Sequence, residues 1–331
     1  MDWSTSTARL LGGRLSAFRA RPAELAAPIL VVLTILITVV VLPNLYAGPT
    51  LYALGMQAAI LGLVALGQML TMLVRGIDLS VNAVMALGAV LVVESGSGSP
   101  IIFNVALAFG LAIAIGAANG LLVTRRRVPP FIATLAMLIF VDGARLAYAR
   151  GQASGLVPAF LSELATRGIA FVPWAVIICI AMGLLWSFVL RRTVLGRWIF
   201  ATGSNPDAAR LSGVPVERVV VFVYIASSTL ALMAGLVLSG YLTYVDQHLA
   251  DGYNLQSITA AVVGGTSFVG GRGTPFATLA GVVFVVLVFG VVVVAGFPVQ
   301  LRFVVEGLVL IVALALQRIR LPQTRVRAAN A

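Results

Sequence analysis

The sequence predicts an all-α fold, a polytopic transmembrane helical bundle of about ten spans, and three observations carry that prediction. The 331-residue chain is 60% hydrophobic and 10% charged, with a mean hydropathy of +1.07, a composition suited to lipid rather than to a water-soluble core. Its apolar residues form runs separated by charges, Pro and Gly, and most runs are long enough to cross hydrocarbon. The arginines gather at alternate connections, as expected when the basic flanks of spans stay in the cytoplasm.

The runs cover residues 26–42, 51–74, 78–93, 100–123, 130–148, 171–190, 217–244, 255–269, 274–296 and 301–316. Within hydrocarbon each backbone must satisfy its own polar groups, so runs of this length are expected to be helices. The third and eighth fall short of the ~20 residues that a straight crossing needs. They are expected to be broken or re-entrant, near 76–82 and 255–273.

Arg9, Arg14, Arg19 and Arg21 place a cytoplasmic N-terminal segment at 1–25, and Pro43 and Asn44 follow the first run without a small-residue cleavage site, so that run is expected to remain as an anchor. An even number of crossings returns the basic tail, residues 317–331, to the cytoplasm and leaves 26–316 as one transmembrane domain. Eighteen of the 22 basic residues then lie inside, while Arg145, Arg150, Arg167 and Arg302 lie outside with Glu94, Glu163, Asp246 and Asp251. The net charge of +11 therefore reads as membrane topology and not as a nucleic-acid footprint.

What is missing narrows the chemistry. Every basic residue is Arg, so neither a phosphate-binding G-x-x-x-x-G-K-[ST] loop nor a Schiff-base lysine is present. A single Cys179 and a single His248 exclude a disulfide within the chain and an ordinary Cys/His zinc cluster. Cys179 reads as a packing residue and His248 as part of a solvated outer loop beside Asp246 and Asp251. No catalytic residue, metal or cofactor is expected in this chain.

Two polar stretches stand out. The first, Gly203 to Pro215, is approached through Arg191, Arg192 and Arg197. Asn205 is placed to cap a short helix, Pro206 fits its first position, Asp207 suits the positive end of its dipole, and Gly213 followed by Pro215 stops it. Small residues Ala208, Ala209 and Ser212, with Arg210 among them, give it a surface that another protein can approach closely, so it reads as a docking knob on the cytoplasmic face.

The second kind is polarity at membrane depth. Arg75-Gly76-Ile77-Asp78-Leu79-Ser80-Val81-Asn82 interrupts the apolar sequence, with Gly76 permitting a break, Asp78 capping the helix that resumes and pairing with Arg75, and Ser80 and Asn82 adding hydrogen-bonding groups. Such a break also suits a translocation path, because irregular backbone survives at depth only beside protein or a water-filled cavity. Asn254, Gly264, Gly265, Thr266 and Ser267 belong to a second such place, where Gly270, Gly271, Gly273 and Pro275 follow. Its glycines superficially suggest nucleotide binding, but the strand, turn and helix context of that fingerprint is missing. Asp142 with Arg145, and Arg302 with Glu306, are spaced to neutralise each other along a helix, and Asn119 with Gly116 and Gly120 marks a close helix contact.

Four fragments in order carry a family resemblance. Gly-Ile-Asp-Leu-Ser-Val at 76–81, Val-Pro-Pro-Phe-Ile-Ala-Thr-Leu at 128–135, Thr-Val-Leu-Gly-Arg at 193–197 with the polar stretch after it, and Ala-Val-Val-Gly-Gly-Thr-Ser with Gly-Gly-Arg-Gly over 261–273 make the chain resemble the permease subunits of ABC sugar importers of the ribose/xylose type. The resemblance implies a multi-pass permease of the bacterial inner membrane that moves a monosaccharide. It also implies partners: a second permease copy, a cytoplasmic ATPase subunit that binds ATP and Mg, and a periplasmic sugar-binding protein. The segment at 203–215 would couple to that ATPase. Related permeases for branched-chain amino acids or nucleosides share this organisation, and an ion-coupled secondary transporter is the alternative from another class. Asn82, where the family often has Gly, and Gln317, where it often has an acidic residue, depart from the pattern.

Overall fold

The computed structural model describes residues 22–93, 100–149, 155–169, 172–246, 248–298 and 300–318. Arg9, Arg14, Arg19, Arg21, Glu94, Arg150, Arg320, Arg325 and Arg327 lie outside the described residues, and so do the side chains of Gln317 and Arg318.

Thirteen α-helices are found among the described residues. In order they are α1 (Pro22–Val41), α2 (Gly48–Leu73), α3 (Val81–Val93), α4 (Ile101–Thr124), α5 (Pro130–Tyr148), α6 (Ala159–Thr166), α7 (Trp174–Arg192), α8 (Val194–Ser204), α9 (Pro206–Leu211), α10 (Val216–Leu242), α11 (Tyr253–Val263), α12 (Pro275–Val294) and α13 (Leu301–Arg318). Six of them, α2, α4, α5, α7, α10 and α12, are long and apolar enough to cross a membrane. The four other apolar runs are helices as well, and the two expected to be short are so, with 13 residues in α3 and 11 in α11. The chain is an all-α, multi-pass membrane bundle.

Two parts of the structure have no counterpart in the sequence reading. Between α5 and α7 lie α6 and three two-residue strands; Gly155–Leu156 pairs antiparallel with Tyr244–Val245, and Gly168–Ile169 with Val172–Pro173. The segment before the polar stretch is itself helical: α8 is capped by Thr193, whose Oγ1 accepts from Gly196 N at 3.2 Å.

At the centre, α10 packs along α2, α3 and α4. In lipid no hydrophobic force drives helices together, so close backbone approach and hydrogen bonds must hold the bundle. Gly116 and Gly120 provide that approach on α4: a Cβ at these positions would lie 2.6 Å from Ile225 Cα and 2.5 Å from Val221 Cα. The close contact expected around Asn119 is therefore present. Conversely, Ile102, Phe103, Ile139 and Phe140 are exposed large side chains on α4 and α5, as suits helices facing hydrocarbon. Cys179 is buried and packs beside Gly62, in agreement with a packing role.

Candidate functional site

The polar stretch forms α9 as its sequence specifies. Asn205 Oδ1 accepts from Asp207 N at 3.1 Å and Ala208 N at 3.0 Å, Pro206 occupies the first helical position, and Asp207 lies in the first turn. Gly213 ends the helix at φ +82°, in the left-handed region. Asp207 pairs with Arg210 at 3.0 Å on the exposed side. Of the residues singled out, Asn205, Asp207, Ala208, Arg210, Ser212 and Gly213 are exposed, whereas Gly203 and Ala209 are buried and hold α9 to the bundle. Sequence reasoning passed over Leu211, which is 91% exposed at the tip of α9; its helical spacing gave no sign that an apolar residue would face outward there.

The root of α9 is joined to two other segments. Gly271 N donates to Leu73 O at 2.9 Å. Arg75 Nε donates to Gly203 O at 2.6 Å, and Arg75 Nη2 donates to Ser204 O. A Cβ on Gly203 would overlap Leu73 O and come within 2.6 Å of Gly271 N, so three backbones meet where only glycine fits. The end of α2, the end of α8 and the glycine-rich turn after α11 thus form one junction. Within that turn Gly265, Gly270, Gly271 and Gly273 all have positive φ, which is why a helix cannot continue through it. Gly264 is buried, and Ser267 N donates to Arg272 O at 2.9 Å while its Oγ accepts from Val269 N at 3.2 Å. Thr266 Oγ1 lies 3.3 Å from Thr278 Oγ1 on α12.

Arg75 is committed to α8, so its expected pairing with Asp78 does not occur. The physical reason is the backbone: α2 closes with Gly76 N donating to Thr71 O at 2.8 Å, and Arg75 sits at φ 66°, which turns its side chain away from the break. Asp78 instead turns into the bundle, fully buried. Its Oδ1 accepts from Ser80 N at 3.0 Å and Ser80 Oγ at 2.6 Å, and its Oδ2 accepts from Ser227 Oγ on α10 at 2.9 Å. Asn119 Nδ2 of α4 donates to Ser80 Oγ at 3.0 Å, and Thr134 Oγ1 of α5 donates to Ile77 O at 3.2 Å. Asp78 does not cap α3 as expected: the helix begins at Val81, which puts Ser80 in the capping position, and Asp78 accepts from the Ser80 N–H in a turn just ahead of it. Three helices hold the broken segment in place.

Around this network lie polar atoms with no hydrogen-bond partner among the described residues: Asn82 Oδ1, Asn119 Oδ1, Ser228 Oγ and both amide atoms of Gln68. Asn254 is not part of it; its Oδ1 accepts from Leu255 N at 2.9 Å at the start of α11.

Asp78→Ala is expected to strip three buried donors of their acceptor and to destabilise the bundle by ~2–5 kcal/mol, whereas Asp78→Asn, which keeps a carbonyl oxygen for Ser80, costs ~1 kcal/mol. Thermal unfolding of the two variants in detergent checks this ordering; equal losses would show that the charge, not the acceptor oxygen for Ser80, is what the site requires.

Two further pairings differ in outcome. Arg145 Nε meets Asp142 Oδ1 at 3.3 Å, as the spacing suggests. Arg302 makes no hydrogen bond to Glu306, although its charge acts on that carboxylate: its Nη2 donates to Gln256 Oε1 of α11 at 3.0 Å and its guanidinium lies 4.6 Å from the Phe289 ring centroid of α12. Neighbouring helices draw the cation off its own helix, and Glu306 Oε1 remains buried without a hydrogen-bond partner. His248 is exposed beside Asp251, with Nδ1 and Oδ2 2.8 Å apart.

A bundle with two broken segments, a buried polar network beside one of them, and a capped polar helix tied to both has the organisation of a membrane permease. Residues 50–314 match the family described as "Branched-chain amino acid transport system / permease component", and the chain belongs to that family. It is 33% identical over 276 residues to the fructose import permease protein of Rhizobium meliloti, covering 79% of this chain and 76% of that one. It is 35% identical over 267 residues to the ribose import permease protein of Bacillus subtilis (strain 168), covering 79% and 82%. The autoinducer 2 import system permease protein of Enterobacter sp. (strain 638) is 36% identical over 276 residues, covering 81% and 79%. No solved structure matches the chain.

Proposed function

We propose that this chain is the membrane permease subunit of an ATP-driven importer that takes a monosaccharide of the pentose or hexose class from a periplasmic binding protein across a bacterial inner membrane. A separate cytoplasmic ATPase binds ATP and Mg and docks on α9, a second permease copy completes the pathway, and both termini are cytoplasmic. The observation that carries the reading is the junction of Leu73, Arg75, Gly203 and Gly271, because it links an exposed, doubly specified helix to the segments that break the spans. The ribose and fructose import permeases among the relatives support the substrate class. The absence of lysine, and with it of a phosphate loop, supports hydrolysis by a partner.

Closure of the ATPase pair moves α9; the junction passes that displacement to the end of α2 and the glycine-rich turn, and so to the start of α3 beside Asp78. The unpartnered polar atoms of Gln68, Asn82, Asn119 and Ser228 give a sugar hydroxyl somewhere to bond transiently along the way.

Leu211 is the apolar anchor of the docking surface. Leu211→Asp is expected to weaken ATPase retention about 30-fold in a pull-down from native membranes while the chain stays folded. A binding protein recovered with the native complex, screened against ribose, xylose, fructose and the branched-chain amino acids, then identifies the cargo. Absence of any ATPase from the native pull-down, with uptake abolished by an ionophore at constant ATP, would overturn the proposal in favour of ion-coupled transport.

A further inference from the structure

The helix pair α4 and α10 is in close backbone contact where Gly116 and Gly120 meet Ile225 and Val221. One turn beyond, toward α9, the small residues stop and the pair is lined by larger side chains. An open cleft of about 510 Å³ forms there, within the range of small-molecule sites. Its wall is apolar, made by Leu121, Val221, Phe222 and Ile225, and Leu121 and Phe222 are also exposed on the outer surface of the spans. Its mouth is charged, made by Arg125, Arg218 and Glu217.

None of these three side chains makes an ion pair among the described residues. The hydroxyl of Thr124, also in the lining, is already spent on Gly120 O at 2.7 Å. The lining therefore offers two guanidiniums against one carboxylate, a single net positive charge, at the level where two spanning helices end. A second cavity of about 430 Å³ adjoins it through Glu217 and Arg218 and reaches Arg210 of α9.

We infer that this cleft binds an anionic phospholipid, with the phosphodiester held by Arg125 and Arg218 and one acyl chain lying on the Leu121, Val221, Phe222 and Ile225 wall. The match is one of charge and of polarity. A phosphodiester carries one negative charge, guanidinium groups bind its oxygens in a forked geometry, and basic clefts between helices at the cytoplasmic face are the usual place for such headgroups. A free anion has no use for the apolar wall, and a neutral lipid has none for two unpaired arginines. The bound headgroup lies beside Arg218, which also lines the cavity that reaches Arg210 of α9. The assignment requires only that α4 and α10 cross the bilayer, so it stands or falls independently of the transport reading.

The purified full chain, delipidated in mild detergent, is titrated with phosphatidylglycerol or with phosphatidylcholine of the same chains while bound lipid is counted by native mass spectrometry and unfolding is followed thermally. Phosphatidylglycerol is expected to remain bound and to raise the unfolding temperature. Arg125→Gln and Arg218→Gln are each expected to weaken it about fivefold, and the exposed control pair Arg191→Gln/Arg192→Gln at the end of α7 to leave it unchanged. Equal retention of phosphatidylcholine, or equal loss in the control pair, would overturn the site. The same thermal shift with inorganic phosphate alone would assign the arginines to a free anion instead. Unchanged lipid binding in Arg125→Gln and Arg218→Gln with weakened ATPase retention would make the cleft a protein contact, which equally defeats the lipid assignment.

Discussion

Gly203→Ala is expected to abolish uptake, although it adds one methyl group to the chain. The added Cβ would overlap the carbonyl oxygen of Leu73 and lie 2.6 Å from the amide nitrogen of Gly271. Both are backbone atoms, and each belongs to a segment that the other holds: Gly271 N donates to Leu73 O at 2.9 Å. No rotamer change relieves the overlap, so α8 must move off the end of α2 or the glycine-rich turn must open. Overpacking of this kind costs ~3 kcal/mol, which corresponds to about a hundredfold loss of the joined state. The comparison that isolates the junction is Gly213. A Cβ there meets nothing within 4 Å, and only the φ of +82° restricts the residue. Gly213→Asn, which tolerates the left-handed region, is expected to keep near-native uptake, while the β-branched Gly213→Val strains the end of α9 and loses transport. Uptake in vesicles, measured with the amount of chain in the membrane, checks the series. Normal uptake by Gly203→Ala would show that the three backbones need not meet.

The series also shows what the sequence could and could not reveal. Asn205, Pro206, Asp207 and Gly213 announced α9 because caps and stops are local: each acts through its own backbone or a neighbour three residues away. The short third and eighth runs were legible for the same reason, since glycine and polar residues interrupt hydropathy wherever they occur. The contact between α4 and α10 left a trace as well, because Gly116 and Gly120 fall on one helix face. The junction left none. Leu73 and Gly203 are 130 residues apart in sequence, and the use made of them is through main-chain atoms, which carry no residue type. Arg75 was visible but its partner was not. Local spacing offered Asp78 three residues on, while the fold offered two carbonyls at the end of another helix and gave Asp78 a serine of α10 instead. Arg302 was read in part: its charge acts on Glu306, but its hydrogen bond and ring contact go to an amide on α11 and a ring on α12.

Arg75 is therefore the residue at which transmission should fail without loss of docking. It stands in the left-handed region at φ 66°, a place where α2 would ordinarily end with glycine. The strain is offset by what the side chain reaches: Nε and Nη2 take the successive carbonyls of Gly203 and Ser204 at the negative end of α8, whose last turn has no basic residue of its own. Arg75→Gln removes both charge-assisted bonds but leaves the Asn205 cap and the exposed face of α9 untouched. In proteoliposomes with the ATPase bound, hydrolysis is expected to continue while sugar uptake per ATP falls about a hundredfold, as two bonds of ~1.5 kcal/mol imply. Arg75→Lys, a point charge that cannot fork across neighbouring carbonyls, is expected to fall between, about tenfold below the native ratio. A parallel fall of uptake, hydrolysis and ATPase retention in Arg75→Gln would show that Arg75 only holds the fold together. A fall in the ratio alone requires that force enter through α9 and leave through α2, since Arg75 touches the end of α8 and nothing on the outer face of α9.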